Sequence, residues 1–91
     1  MRLRDKAAII TGAGAGIGRA TALRFAEEGA SLLLVDLNNG ELAEVAAEAA
    51  SLGVPVATVA GDISDEAVAR RISDTAFARF GRIDILVNNA A

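Results

Sequence analysis

The stretch Thr11-Gly-Ala-Gly-Ala-Gly-Ile-Gly18 concentrates more chemistry than any other part of this sequence, and that chemistry belongs to the main chain. Glycines at 12, 14, 16 and 18 let the backbone turn tightly and approach a pyrophosphate with no Cβ in the way. A helix that starts within such a turn aims free N–H groups and a positive dipole end at the phosphates. Ala15 and Ile17 complete the loop without adding charge. A glycine-rich turn with no ligand is the alternative, but a strand before it and a helix after it favour binding. No lysine follows Gly18, so the loop that grips nucleoside triphosphates is disfavoured.

The next candidate is Asp36. An acid at the end of the second strand accepts hydrogen bonds from the hydroxyls of an adenosine ribose and repels a 2′-phosphate. Ala15, Leu37, Asn38 and Asn39 supply no counter-charge for such a phosphate, so the expected cofactor is NAD rather than NADP. Capping the second helix is a competing role for Asp36, and the two roles are compatible. On these residues, cofactor contacts are expected at Gly12, Gly14, Ala15, Gly16, Ile17, Gly18, Asp36 and Leu37.

No second constellation rivals this one. The chain has no histidine and no cysteine, so no nucleophile–base pair, disulfide or His/Cys metal site can be built from it. Glu41, Glu44 and Glu48 share a helix face, which a solvated surface explains. A net charge of −3 without any run of lysine or arginine argues against a nucleic-acid partner. The apolar runs are too short to span a bilayer, and Met1 to Lys6 lacks the apolar segment of a signal peptide. The expectation is a soluble, cytoplasmic protein with no membrane partner.

The elements that must position these residues follow from periodicity. Ala7 to Thr11 reads as a short buried strand, and Gly16 to Glu28 as a helix. That helix has Gly18, Ala22, Phe25 and Gly29 inward and Arg19, Arg24, Glu27 and Glu28 outward. Ser31 to Asp36, with its unbroken Leu-Leu-Leu-Val, reads as a strand covered on both faces. Asn38 to Leu52 reads as a second helix with Leu42, Val45, Ala46, Ala49 and Leu52 inward. Val54 to Ala60 is expected as a third strand, with Pro55 near its start. Ser64 is expected to cap a third helix, with Val68, Ile72, Ala76 and Phe80 as its buried row and Gly81 closing it. Ile83 to Val87 completes the series as a fourth strand.

This βαβαβαβ order predicts an α/β fold. We expect a partial, three-layer Rossmann-type doubly wound parallel sheet with strand order 3-2-1-4, filling residues 1–91 as one dinucleotide-binding half. The core is thinner than the 53% of hydrophobic residues suggests. Twenty-one residues are alanine, and three phenylalanines are the sole aromatics.

With the elements in place, the chain resembles the short-chain dehydrogenase/reductase family. Thr11, Gly12, Gly16 and Gly18 match that family's TGxxxGxG spacing, which differs from the GxGxxG of most dinucleotide folds. Asp62-Ile63 resembles its adenine-contacting pair, and Phe80-Gly-Arg-Ile-Asp-Ile-Leu-Val-Asn-Asn-Ala90 resembles the approach to its NNAG motif. Ala91 stands where the family's final glycine usually does. The resemblance implies that the Asp62 carboxylate accepts from the adenine amino group and that the Ile63 backbone contacts the ring. It also implies that Asn88, Asn89 and Ala90 line the cofactor towards its nicotinamide side. Taken singly, Asp62 also suits an N-cap cluster, and the asparagines suit a strand-end turn.

The family transfers hydride with a serine, a tyrosine and a lysine, the last two on a later helix. This sequence has no tyrosine, its one lysine is Lys6, and its serines at 31, 51, 64 and 73 lie away from the family's catalytic position. No catalytic residue is therefore expected within these 91 residues. Two functions stay open: the NAD-binding part of an oxidoreductase acting on an alcohol or carbonyl compound, and a stand-alone dinucleotide- or adenosine-binding module. A flavin-binding front half fits the glycine spacing and the asparagine pair poorly. In the order 3-2-1-4 the fourth strand is an edge, so a chain that stops at Ala91 is expected to self-associate through Ile83 to Val87.

Overall fold

The residues that fill β1 (Ala7–Thr11) and β2 (Ser31–Asp36) alternate between two cores, one on each face of the sheet. Ala8, Ile10, Leu32 and Leu34 point to one face, and Ile9, Leu33 and Val35 point to the other. The computed structural model describes residues 2–89. Its first face is covered by α1 (Gly16–Glu27) and α2 (Asn39–Ala50), which contribute Ala22, Ala26, Leu42, Val45 and Ala49. The second is covered by α3 (Glu66–Phe80), with Ala76 fully buried against Ala57 and Val59 of β3 (Val56–Ala60). Alanine is thus what lets α1 and α3 sit close to the strands.

With β4 (Ile85–Val87), the four parallel strands run in the order β3-β2-β1-β4. Ala8 pairs with Leu32 and with Ile85, and Leu32 pairs in turn with Val56, so the register is continuous across the sheet. This is the expected three-layer Rossmann-type arrangement. Being parallel, the strands deliver Thr11, Asp36, Ala60 and Val87 to the same edge.

Several boundaries differ from expectation, each for a local reason. β3 begins at Val56 rather than Val54; the Pro55 carbonyl accepts from Leu32 N–H at 2.9 Å, while proline has no N–H to return. β4 begins at Ile85 rather than Ile83, because Asp84 engages β1 partly through its side chain. Its N–H donates to the Ala7 carbonyl at 2.9 Å, while its carboxylate accepts from the Ala7 N–H, also at 2.9 Å. α2 ends at Ala50, which leaves Leu52 45% exposed instead of inward. Phe25 is half-buried and packs against the first core as expected, while Ala22 and Ala26 are the fully buried apolar residues of α1. Gly29 lies past the end of α1 with φ +92°.

The helix caps are also redistributed. Asn38, not Asp36, caps α2, its side chain accepting from Glu41 N–H at 2.9 Å. Asp65, not Ser64, caps α3, accepting from Ala67 N–H at 2.8 Å. Val68, Ile72 and Phe80 lie along the inner side of α3 half-buried, flanking Ala76. Gly81 ends the helix as expected, at φ +72°.

Candidate nucleotide-binding site

Where β1, β2 and β3 end, the chain forms a concave site. The glycine turn forms its first wall. Gly12 and Gly16 take left-handed backbone conformations, φ +63° and +58°, that fold the chain back from β1 into α1. Gly18 serves a different need: a Cβ there would meet the Gly12 carbonyl oxygen at 1.9 Å. Helix and turn can therefore touch only where the side chain is a hydrogen.

α1 is the one helix among the described residues whose start has no side-chain acceptor. Its N-cap is Ala15, and no acid occupies its first turn. α2 and α3 are capped by Asn38 and Asp65 and carry Glu41 and Glu66 in their first turns. The leading amides of α1 are thus left for an external anion, and the helix dipole adds to their pull.

Asp36 and the turn are directly linked. The Gly14 amide donates to Asp36 Oδ2 at 2.7 Å, and the Asn38 amide donates to Oδ1 at 3.1 Å. Asp62 is held by Ser64, whose amide and hydroxyl donate to Oδ1 at 2.9 and 2.7 Å. Those two bonds, the amide's first, hold the pKa of the Asp62 carboxyl below its ordinary value. Between the two acids lies a cavity of about 290 Å³ lined by Gly12, Val35, Asp36, Leu37, Gly61, Asp62, Ile63 and Asn89. Its lining carries two carboxylates and no cation, which disfavours any additional phosphate beside Asp36.

The structure brings six of the expected residues together around this cavity: Gly12, Asp36, Leu37, Asp62, Ile63 and Asn89. Gly14 joins through its bond to Asp36, and Gly18 through its approach to Gly12 and Asn89. Ala15, Gly16 and Ile17 lie exposed at the start of α1. Asn88 points elsewhere, lining a second cavity on the α3 side with Ile9, Thr11, Ile72 and Leu86. Ala90 lies outside the described residues.

Three contributors were not foreseen from sequence as part of the site. Val35 and Gly61 line the cavity. Thr11 ties β1 to the asparagine pair: its buried hydroxyl donates to Asn88 Oδ1 at 3.0 Å and accepts from the Asn89 amide at 2.9 Å. Its place in the TGxxxGxG pattern was the available signal. Among the described residues there is no group of acidic side chains placed to hold a metal ion. Nor is any helix long and apolar enough to cross a membrane.

The family model described as short chain dehydrogenase matches residues 6–91. Among curated relatives, 1-deoxy-11-beta-hydroxypentalenate dehydrogenase of Streptomyces exfoliatus is 42% identical over 90 residues, covering 99% of this chain and 33% of the relative. A solved NAD+-bound xylitol dehydrogenase superposes with a TM-score of 0.94 at 37% identity, covering 100% of this chain and 35% of that one. Carveol dehydrogenase from Mycobacterium avium in complex with NAD gives 0.93 at 31% identity, covering 99% of this chain and 37% of that one. The chain spans about a third of the length of the curated relatives it matches.

Proposed function

Since this chain belongs to the short-chain dehydrogenase family, we propose that its glycine turn and strand ends hold the adenosine and pyrophosphate of NAD. The observation that carries this is the placement of Asp36 and Asp62 on one cavity beside the uncapped start of α1. In this proposal the amides of the turn and of α1 receive the pyrophosphate. Asp36 accepts from the ribose hydroxyls, and Asp62 with Ile63 meets the adenine. Asn89 continues towards the nicotinamide side, with Asn88 held behind it by Thr11. Bound NAD would supply the hydride acceptor, and the residues of this chain bind and orient it.

The protein carrying this half would be an oxidoreductase moving hydride between the nicotinamide and an alcohol or carbonyl substrate. Support comes from relatives and neighbours named as dehydrogenases, two of which are described with NAD. A cytoplasmic location belongs to the same proposal, and for these 91 residues taken alone so does self-association through the outer edge of β4. The second is supported by Leu86, 65% exposed, on a strand that pairs only with β1 among the described residues.

Calorimetric titration with NAD, NADP and AMP tests the cofactor assignment. Comparable binding of NAD and AMP with weaker NADP is expected. NADP binding as tightly as NAD would overturn the role of Asp36, and no binding of any of the three would overturn the site.

A further inference from the structure

The two carboxylates of the cavity are held differently. Asp36 has each oxygen on a separate backbone amide, Gly14 for one and Asn38 for the other. Asp62 has both of its bonds on Oδ1, and both come from Ser64. Two donors from one residue converging on one oxygen hold the carboxylate in a single orientation and leave Oδ2 with lone pairs to offer. That acid lines the cavity between Gly61 and Ile63. Ser64 is not spent on the helix beside it, because α3 is capped by Asp65.

We propose that Ser64 is a positioning residue that fixes Asp62 as a selector for purines with a 6-amino group over purines with a 6-oxo group. The proposal rests on the assignment of this cavity to an adenosine. An ionised carboxylate is acceptor-only, so it takes a hydrogen bond from an exocyclic amine. Facing a 6-oxo group it sets acceptor against acceptor, so the pair repels where the amine would bond. The same two Ser64 bonds, the amide's first, also lower the protonation range of Asp62 from its ordinary value. A carboxylate free to rotate would turn its oxygens to solvent and discriminate less.

The test compares AMP with IMP, which carries a 6-oxo group in place of the 6-amino group and a proton on N1. Binding is measured for the purified protein and its Ser64→Ala, Ser64→Thr, Asp62→Ala and Asp62→Ala/Ser64→Ala variants. The wild type should prefer AMP. Ser64→Ala should lower the AMP-to-IMP ratio by about three- to tenfold, the scale of one ordinary hydrogen bond, and Ser64→Thr should restore it. In the Asp62→Ala background, Ser64→Ala should change the ratio no further, because the group it positions is gone. A purely structural effect of Ser64 would persist in that background and would overturn the proposal. So would an unchanged ratio in Ser64→Ala, or a wild type that binds AMP and IMP equally. A wild type that binds neither nucleotide would instead remove the adenosine assignment on which the proposal stands.

Discussion

The amide of Gly14 lies 2.7 Å from Oδ2 of Asp36, and a Cβ built on Gly14 would stand 2.9 Å from that same oxygen. The turn after β1 and the end of β2 therefore meet main chain to side chain. With Asn38 donating to the other oxygen, the carboxylate is aimed before any ligand arrives. Preorganisation of this kind reduces the ordering cost of binding.

Asp36→Ala should therefore weaken NAD more than NADP. Losing a hydrogen-bonding carboxylate at the ribose costs NAD about ten- to a hundredfold in affinity, while NADP loses a repulsive charge as well and falls less or rises. Titration of both cofactors against the variant reads the change in preference. Parallel losses would show that Asp36 acts on the fold of the turn and not on the ribose.

Much of this was legible in the sequence because the strong signals are local. Alternation between apolar runs and helical periods marked all seven elements, and the turn declared itself by its glycines. What escaped depends on partners distant in the chain. Whether Ile83 and Asp84 belong to β4 turns on Asp84 meeting Ala7, and whether Thr11 matters beyond its motif turns on Asn88 and Asn89. The helix caps escaped for another reason. Asp36 and Asn38, like Ser64 and Asp65, are both good cap formers, and backbone geometry chose between them. Ser64, released from capping α3, binds Asp62 instead.

Gly18→Ala and Gly16→Ala should both destabilise the protein, by different routes. At position 18 the new methyl meets a backbone oxygen at 1.9 Å, so main chain must move, and a loss of about 3 kcal/mol is expected. At position 16 nothing lies within 4 Å, and the cost is the left-handed conformation alone, about 1 kcal/mol. Urea denaturation orders them. Equal midpoints would mean that the helix start relaxes away from Gly12 freely.

Thr11→Val keeps the shape of a 5% exposed side chain and removes its hydroxyl. The Asn89 amide then loses its acceptor and Asn88 Oδ1 its donor, for a loss of about 1–3 kcal/mol. Thr11→Ser retains the oxygen and should recover most of that. If valine and serine were equally stable, the hydroxyl bridge between β1 and the end of β4 would contribute nothing, and melting curves of the two variants decide it.

Asp84 should set part of the acid limit of the fold. Its carboxylate takes hydrogen bonds from Arg82, at 2.7 Å to each oxygen, and from the Ala7 amide, at 2.9 Å. The Arg82 bonds first, and the Ala7 amide second, pull its pKa down to about 2 from the ordinary 3.8. A carboxyl whose pKa is lower in the folded state binds its proton more readily when unfolded. Its contribution is therefore fully present above the ordinary value and fades as pH falls through the range between 3.8 and about 2. Asp84→Asn should flatten stability against pH in that window while leaving the slope near neutrality unchanged. The variant also weakens the hold of β4 on the first residue of β1, so hydrogen exchange at Ala7 should quicken at neutral pH. An unaltered acid slope together with unaltered exchange at Ala7 would show that the chain-spanning contact between Asp84 and β1 does not support the sheet edge.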